Sequence, residues 1–306
     1  MTVDLGGIRL PNPILLASGT CGYGRELASF YDLRRLGGII TKGTTLHPRP
    51  GNPPPRIAET PAGMLNSIGL ENPGVEKVVE EEIPFLRQFG IPVMVNIAGE
   101  TVADYARLAA ILDGVPGVSG LEVNVSCPNV KGGGMAFGVD PEATAAVVRA
   151  VRRETSLPVI AKLSPNVNDI VAVARAARRA GADALSLINT LVGMVIDVHT
   201  RRPLLGAVTG GLSGPAIRPV AVRMVWEVAA AVDAPILGVG GITCGEDAVQ
   251  FLLAGATAVA VGSMGLVDPL SPLRILGELQ AYMRQEGFTC VDDLVGLAHD
   301  RRRRSG

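Results

Sequence analysis

Cys127 closes the run LEVNVSC and is followed by Pro128, Lys131 and Gly132, Gly133 and Gly134. A free cysteine is most often a small buried hydrophobe. A thiol just before a strand-ending proline, beside a cation and a glycine-rich loop, is instead placed to act as a thiolate or general base under a movable lid. Cys21 also follows a strand-like run and is the second candidate, whereas Cys244 and Cys290 lack that setting. No two of the four cysteines form a CxxC pair, and His47, His199 and His299 are scattered. Neither a zinc site nor an iron–sulfur ligand set is therefore expected on this chain.

Five further short apolar runs end in polar residues that can bind, namely Ser18, Lys42, Asn96, Lys162, and Asn189 with Thr190, and Asn124 precedes Cys127 in its own run. One asparagine there can cap a helix, and one lysine can reach solvent. Several at equivalent positions need shared partners, because buried amides and ammoniums are costly when unpaired. A polar, planar ligand would supply them. The last two runs end in glycine instead, in GVGGI (238–242) and VGS (261–263). Gly240, Gly241, Gly262 and Ser263 can expose backbone N–H groups to a phosphate; close strand–helix packing is the other use of such glycines.

The elements that must position these residues alternate. The strand candidates are 14–18, 38–43, 93–99, 121–127, 159–165, 184–190, 236–241 and 258–263. They are continuous apolar runs, as expected of strands covered on both faces of a parallel sheet. Helical spacing fills the gaps. Segment 75–89 carries Val78, Val79, Ile83, Leu86 and Phe89 on one face, with Glu80, Glu81 and Glu82 opposite. Asp140 and Pro141 start another helix as N-cap and first residue, and 168–180 and 215–232 are two more. RAGADAL (179–185) and LAGATAV (253–259) repeat one helix–glycine–strand turn. Eight strands with intervening helices predict a single α/β domain, a (β/α)8 TIM barrel, over a doubly wound sheet. Segment 3–13 reads as a small N-terminal β-hairpin plugging the bottom. Segments 44–74 and 191–214 exceed plain βα turns, and such long loops are usually functional. In this fold the site lies at the strand C-termini.

Composition agrees. The chain has 306 residues with 38 glycines, 22 prolines, 47% hydrophobic residues and few aromatics, which argues against an aromatic-rich sandwich or a coiled coil. A net charge of −1 leaves no footprint for nucleic acid. The mean hydropathy is +0.33, but the longest apolar run, 254–267, is shorter than the roughly 18 residues of a spanning helix. The first residues lack the pattern of a signal peptide. A cytoplasmic protein with reduced thiols and no membrane contact is expected, with the basic run at 301–304 as a solvated, disordered tail.

Five motifs carry a resemblance: ASGTCGYGRE (17–26), TKGTTLHPRPGNPPPRIAETPAGMLNSIGLENPG (41–74), NVSCPNVKGGG (124–134), INTLVGMVID (188–197) and GGLSGPAIRP (210–219). With them the chain resembles the dihydroorotate dehydrogenases, FMN-containing (β/α)8 enzymes, over nearly its whole length. The second motif is most similar to the heteromeric, NAD-linked branch. The resemblance implies one FMN per chain, and FAD and a [2Fe-2S] cluster on a partner electron-transfer subunit. It also implies a homodimer core within a heterotetramer, with dihydroorotate and orotate as substrate and product. It further implies that Cys127 is the base that takes the C5 proton. Lys42 would lie where FMN and substrate meet, and Lys162 at the flavin pyrimidine edge. Asn66, Ser67, Ile68, Gly69, Leu70, Asn124, Asn129, Asn189 and Thr190 would touch substrate. Ser18, Gly43, Asn96, Asn124 and Ile188 would touch flavin, and Gly214, Gly240, Gly241, Gly262 and Ser263 the ribityl phosphate region. Cys21 and GSMG (262–265) depart from the family pattern. The alternatives are a fumarate-linked homodimeric enzyme, a dihydropyrimidine dehydrogenase-like subunit and a non-catalytic scaffold barrel.

Overall fold

Strands buried on both faces close most completely by joining their edges, and here they do so. A computed structural model describes residues 1–126 and 137–299. In chain order, β1 (Val3–Leu5) and β2 (Ile8–Leu10) form an antiparallel hairpin. β3 (Ile14–Leu16) and β4 (Gly38–Ile40) begin the barrel, and β5 (Ile57–Thr60) and β6 (Gly63–Asn66) leave it. β7 (Val93–Ile97), β8 (Gly120–Asn124), β9 (Val159–Lys162) and β10 (Ala184–Leu187) continue the barrel. β11 (Leu191–Gly193), β12 (Ile196–Asp197), β13 (Arg202–Pro203) and β14 (Gly210–Ser213) lie outside it. β15 (Ile236–Val239) and β16 (Ala258–Val261) complete the circle β10-β15-β16-β3-β4-β7-β8-β9. Every pair in the circle is parallel. All eight barrel strands coincide with runs read from the sequence.

The register sorts side chains into lumen and outer face. A Cβ on Gly120 would lie 2.6 Å from Ile8 Cδ1 of the hairpin, whereas one on Gly238 would lie 2.5 Å from Phe251 of the helix Gly245–Leu253. Gly120 therefore faces the lumen, and so do Glu122 and Asn124, two and four residues on. Cross-strand pairing carries this face to Met94 and Asn96 on β7, Ile160 and Lys162 on β9, and Ser186 on β10. The hairpin sits beneath: Val3, Leu5, Ile8 and Leu10 are buried, and Gly6 packs on Asp183 at the entry to β10.

The helices start where their caps dictate. Asp140 caps Pro141–Glu154, and Arg152 and Arg153 stand in its last turn. Asp169 caps Ile170–Arg179. Thr101 and Asp104 form a capping box on Val102–Leu112. The segment 75–89 departs from its sequence reading. Val75–Lys77 passes through a π-helical stretch, Val78–Glu82, before Ile83–Arg87. Pro84 has no N–H to return to the carbonyl of Glu80, so the turn before it widens. That rotation buries Glu82, which the helical spacing puts in solvent, and pairs it with Arg25 Nε at 2.7 Å.

The two long segments build a structure that no local pattern announced. β5 and β6 from the first, and β11 and β14 from the second, form a four-stranded antiparallel sheet in the order β11-β14-β6-β5. Asn66 pairs with Gly211 across it, 145 residues apart. Among the described residues no helix is long and apolar enough to cross a membrane. The tail at 301–304 lies outside the described residues.

The hairpin fills the lumen from below, so Ile8→Ala is expected to lower the unfolding free energy by about 2–5 kcal/mol. Denaturant titration measures this. Ligand binding at the far end of the barrel should be unchanged.

Candidate active site

The polar residues that end the strands meet at the C-terminal mouth in three groups. The first is buried. Lys162 Nζ donates to Ser18 Oγ at 3.0 Å and forms an ion pair with Glu122 Oε2 at 3.3 Å. Asn96 Nδ2 donates to the same Oε2 at 2.6 Å and approaches Ser18 Oγ at 3.4 Å. Gly43 leaves room beside them: a Cβ there would lie 3.1 Å from Asn96 Oδ1 and 3.2 Å from Leu70 Cδ2. Asn96 Oδ1, Glu122 Oε1 and Ser186 Oγ are buried with no hydrogen-bond partner among the described residues. Native lumens seldom leave such atoms orphaned without a function or a ligand. Lys42, at the end of β4, is half-buried at the rim.

The second group is a ring of amides. Asn189 Nδ2 donates to Asn124 Oδ1 at 3.4 Å, and Tyr105 Oη donates to the Asn124 carbonyl at 2.8 Å. Asn166 grips the next stretch from both sides: its Nδ2 donates to Thr190 O, and its Oδ1 accepts from Val192 N. Thr190 packs against Gly211, which pairs with Asn66. The segment from Asn66 through Ser67, Ile68, Gly69 and Leu70 is half-buried and braced from outside. Asn52 Nδ2 donates to Ser67 Oγ at 2.8 Å, and Asn52 N to Ile68 O at 3.0 Å. Arg56 ties Asn52 O and Pro50 O to the Glu71 carboxylate. Asn72 Nδ2 fixes the Leu70 carbonyl at 2.7 Å.

The third group is the glycine end. Gly241 has φ +73°, and a Cβ there would lie 2.6 Å from Gly214 O and 2.9 Å from Arg218 Cβ, so only glycine fits. Gly240 lies against Ile188 and Ile217, and Gly262 against Ala17. Ser263 follows at the end of β16, half-buried. Arg218 is held by a 2.6 Å ion pair with Asp247. Burial works against the Asp247 charge. The Thr243 hydroxyl and N–H, and then the Arg218 guanidinium, hold the carboxyl below the usual range nonetheless.

Cys127 and Asn129, with Lys131 and Gly132, Gly133 and Gly134, lie outside the described residues. Cys21 is corrected as a base candidate. It is buried, its thiol donates to Ile40 O at 3.1 Å, and burial pushes its pKa up to about 12. Sequence reasoning missed Glu122, Asn166, Arg218 and Asp247. Only Glu122 left a signal: a carboxylate in the middle of an apolar strand needs a buried partner.

The family profile described as dihydroorotate dehydrogenase matches residues 1–283. The chain is 60% identical to the "Dihydroorotate dehydrogenase B (NAD(+)), catalytic subunit" of Desulforudis audaxviator, over 97% of each. It is 55% identical to the proteins of the same name from Pelobacter propionicus and Geobacter metallireducens, again over 97% of each chain.

Burial keeps Cys21 protonated in the folded protein, while the unfolded chain loses this proton at lower pH. Its contribution to stability is complete below about pH 9 and fades as pH rises toward about 12. Cys21→Ala is expected to flatten the alkaline fall in Tm. Peptide mapping after iodoacetamide treatment should find Cys21 unmodified in the native protein and alkylated after denaturation.

Proposed function

The chain belongs to the dihydroorotate dehydrogenase family and is an FMN-dependent oxidoreductase, and from that premise we propose that it oxidises (S)-dihydroorotate to orotate in pyrimidine biosynthesis. Electrons then leave through a partner subunit carrying FAD and a [2Fe-2S] cluster, and pass to NAD+. Three relatives named as NAD(+)-linked catalytic subunits favour this branch over the fumarate-linked one. "Catalytic subunit" in those names also speaks for a second kind of subunit, around the homodimer core that the resemblance implies.

The observation that carries the reading is the buried Ser18–Asn96–Lys162–Glu122 cluster, with its orphaned Asn96 Oδ1, opening beside a ring of amides. These residues fit FMN. Asn96 Oδ1 is an acceptor for a ring N–H, and Lys162 is a cation beside the place where negative charge accumulates on reduction. Lys42, Gly43, Asn124 and Ile188 complete the flavin contacts. Gly214, Gly240, Gly241, Gly262 and Ser263 offer backbone to the phosphate, with Arg218 alongside. Bound FMN supplies the two-electron acceptor for the hydride from C6 of the substrate.

The chain's own residues do the rest. Asn66, Asn124, Asn129, Asn189 and Thr190 offer paired donors and acceptors to the carbonyl and N–H edges of the pyrimidine. Ser67, Ile68, Gly69 and Leu70 line the rim, and the bracing from Asn52, Arg56 and Asn72 holds them in position. Cys127 takes the C5 proton, a role that suits a thiol with a pKa near ambient pH.

The purified protein is expected to be yellow and to bleach when dihydroorotate is added without oxygen. Cys127→Ala should keep FMN and slow bleaching at least about 100-fold; unchanged bleaching removes Cys127 from the base role. NADH should form only when the partner subunit is added, and turnover with fumarate alone would favour the other branch. Asp247→Asn should loosen Arg218 and weaken FMN binding roughly tenfold while leaving riboflavin binding unchanged, read by flavin fluorescence; one charge-assisted contact of this kind is worth about 1.5–3 kcal/mol.

A further inference from the structure

The mechanism above uses Lys162 and leaves Glu122 without a part. Glu122 is fully buried in the lumen, on the strand next to Lys162, one layer below Asn124. Its Oε2 receives both the Lys162 ammonium and the Asn96 amide, while Oε1 has no partner among the described residues. The carboxylate is thus partnered through one oxygen only, which the cation and the amide share. A buried ion pair is weak grounds for stability, since apolar residues of similar volume often do as well. The lumen layers below, at Met94, Gly120 and Ile160, are apolar or glycine. The charge therefore stands at the one level where the lumen meets the mouth.

A lone buried ammonium would bind reduced, more negative FMN far more strongly than the oxidised form. A fixed counter-charge 3.3 Å away opposes that preference, because charges interact strongly wherever water is excluded. We propose that Glu122 is a positioning residue for the redox step: it holds the Lys162 ammonium at the mouth of the lumen and offsets its charge, and so sets how strongly the site favours reduced over oxidised FMN. This rests on the placement of FMN over Lys162 argued above. No bond is made or broken at Glu122, and it moves no proton in this role.

Glu122→Gln keeps the shape and can still accept from Asn96 and Lys162, but removes the negative charge. The readout is the midpoint potential of the FMN-bound protein, equilibrated against a reference dye, together with the affinity for oxidised FMN. Preference for reduced over oxidised FMN is expected to rise at least tenfold, a shift of about +30 mV for a two-electron couple. A purely structural role would lower stability and leave the potential where it was, and that result overturns the proposal. Should Glu122→Gln not fold, Glu122→Asp draws the charge back from Nζ. It should raise the potential by a smaller amount, and no change again overturns the proposal. Lys162→Met tests the placement separately. It should lower the potential; if it does not, FMN does not lie over Lys162, and if it does while both Glu122 variants leave the potential unmoved, only the role of Glu122 falls.

Discussion

Closure of eight parallel strands creates a lumen that water does not enter from the side. Every residue pointing into it must either pack or find a polar partner across the barrel. Below, the hairpin meets this demand with Ile8 against Gly120. Above, Asn96, Glu122 and Lys162 meet it with one another, and Ser18 completes the set from the strand on the other side. The polar layer is therefore as much a consequence of closure as of chemistry. A cation held there is fixed in position, poorly hydrated and open toward the mouth, which is what stabilising charge on a bound flavin requires.

Around this rigid lumen the site is finished by segments that belong to no barrel strand. The antiparallel sheet of β5, β6, β11 and β14 joins loops from the second and sixth barrel strands. It brings the Asn66–Leu70 stretch over the same opening that Asn189 and Thr190 reach from below. Its ties are hydrogen bonds and surface ion pairs rather than a deep core: Ala58, Leu65 and Leu205 are its only buried cluster among the described residues. Arg56 and Asn72 supply the rigidity that so small a core cannot. The Asn66–Leu70 stretch thus stands on this extension, whereas Asn124 ends a barrel strand and Asn189 and Thr190 follow one.

Much of this was legible in the sequence. Continuous apolar runs mark strands buried on both faces, so all eight staves were found by pattern alone. Asp140 and the glycines at 181 and 255 announced helix ends by local chemistry that needs no distant partner. The π-helical turn was not legible, because the helical spacing across 75–89 is correct on both sides of it and only the missing N–H of Pro84 displaces the register. Nor was the antiparallel sheet, whose strands are three or four residues long and whose central β6–β14 pairing joins residues 145 apart.

By itself the sequence determined the barrel, the hairpin beneath it and the ring of lysines, asparagines and glycines at the strand ends, because periodicity and capping act over a few residues. Tertiary structure alone decided which of those residues share charge and space. That Glu122 faces Lys162 depends on the register of neighbouring strands. That Asp247 holds Arg218 depends on how two helices pack. That Cys21 is an inert thiol while remaining close to the mouth depends on its burial against Ile40. Electrostatics and desolvation act through space, and a chain order carries no distances until the barrel has closed.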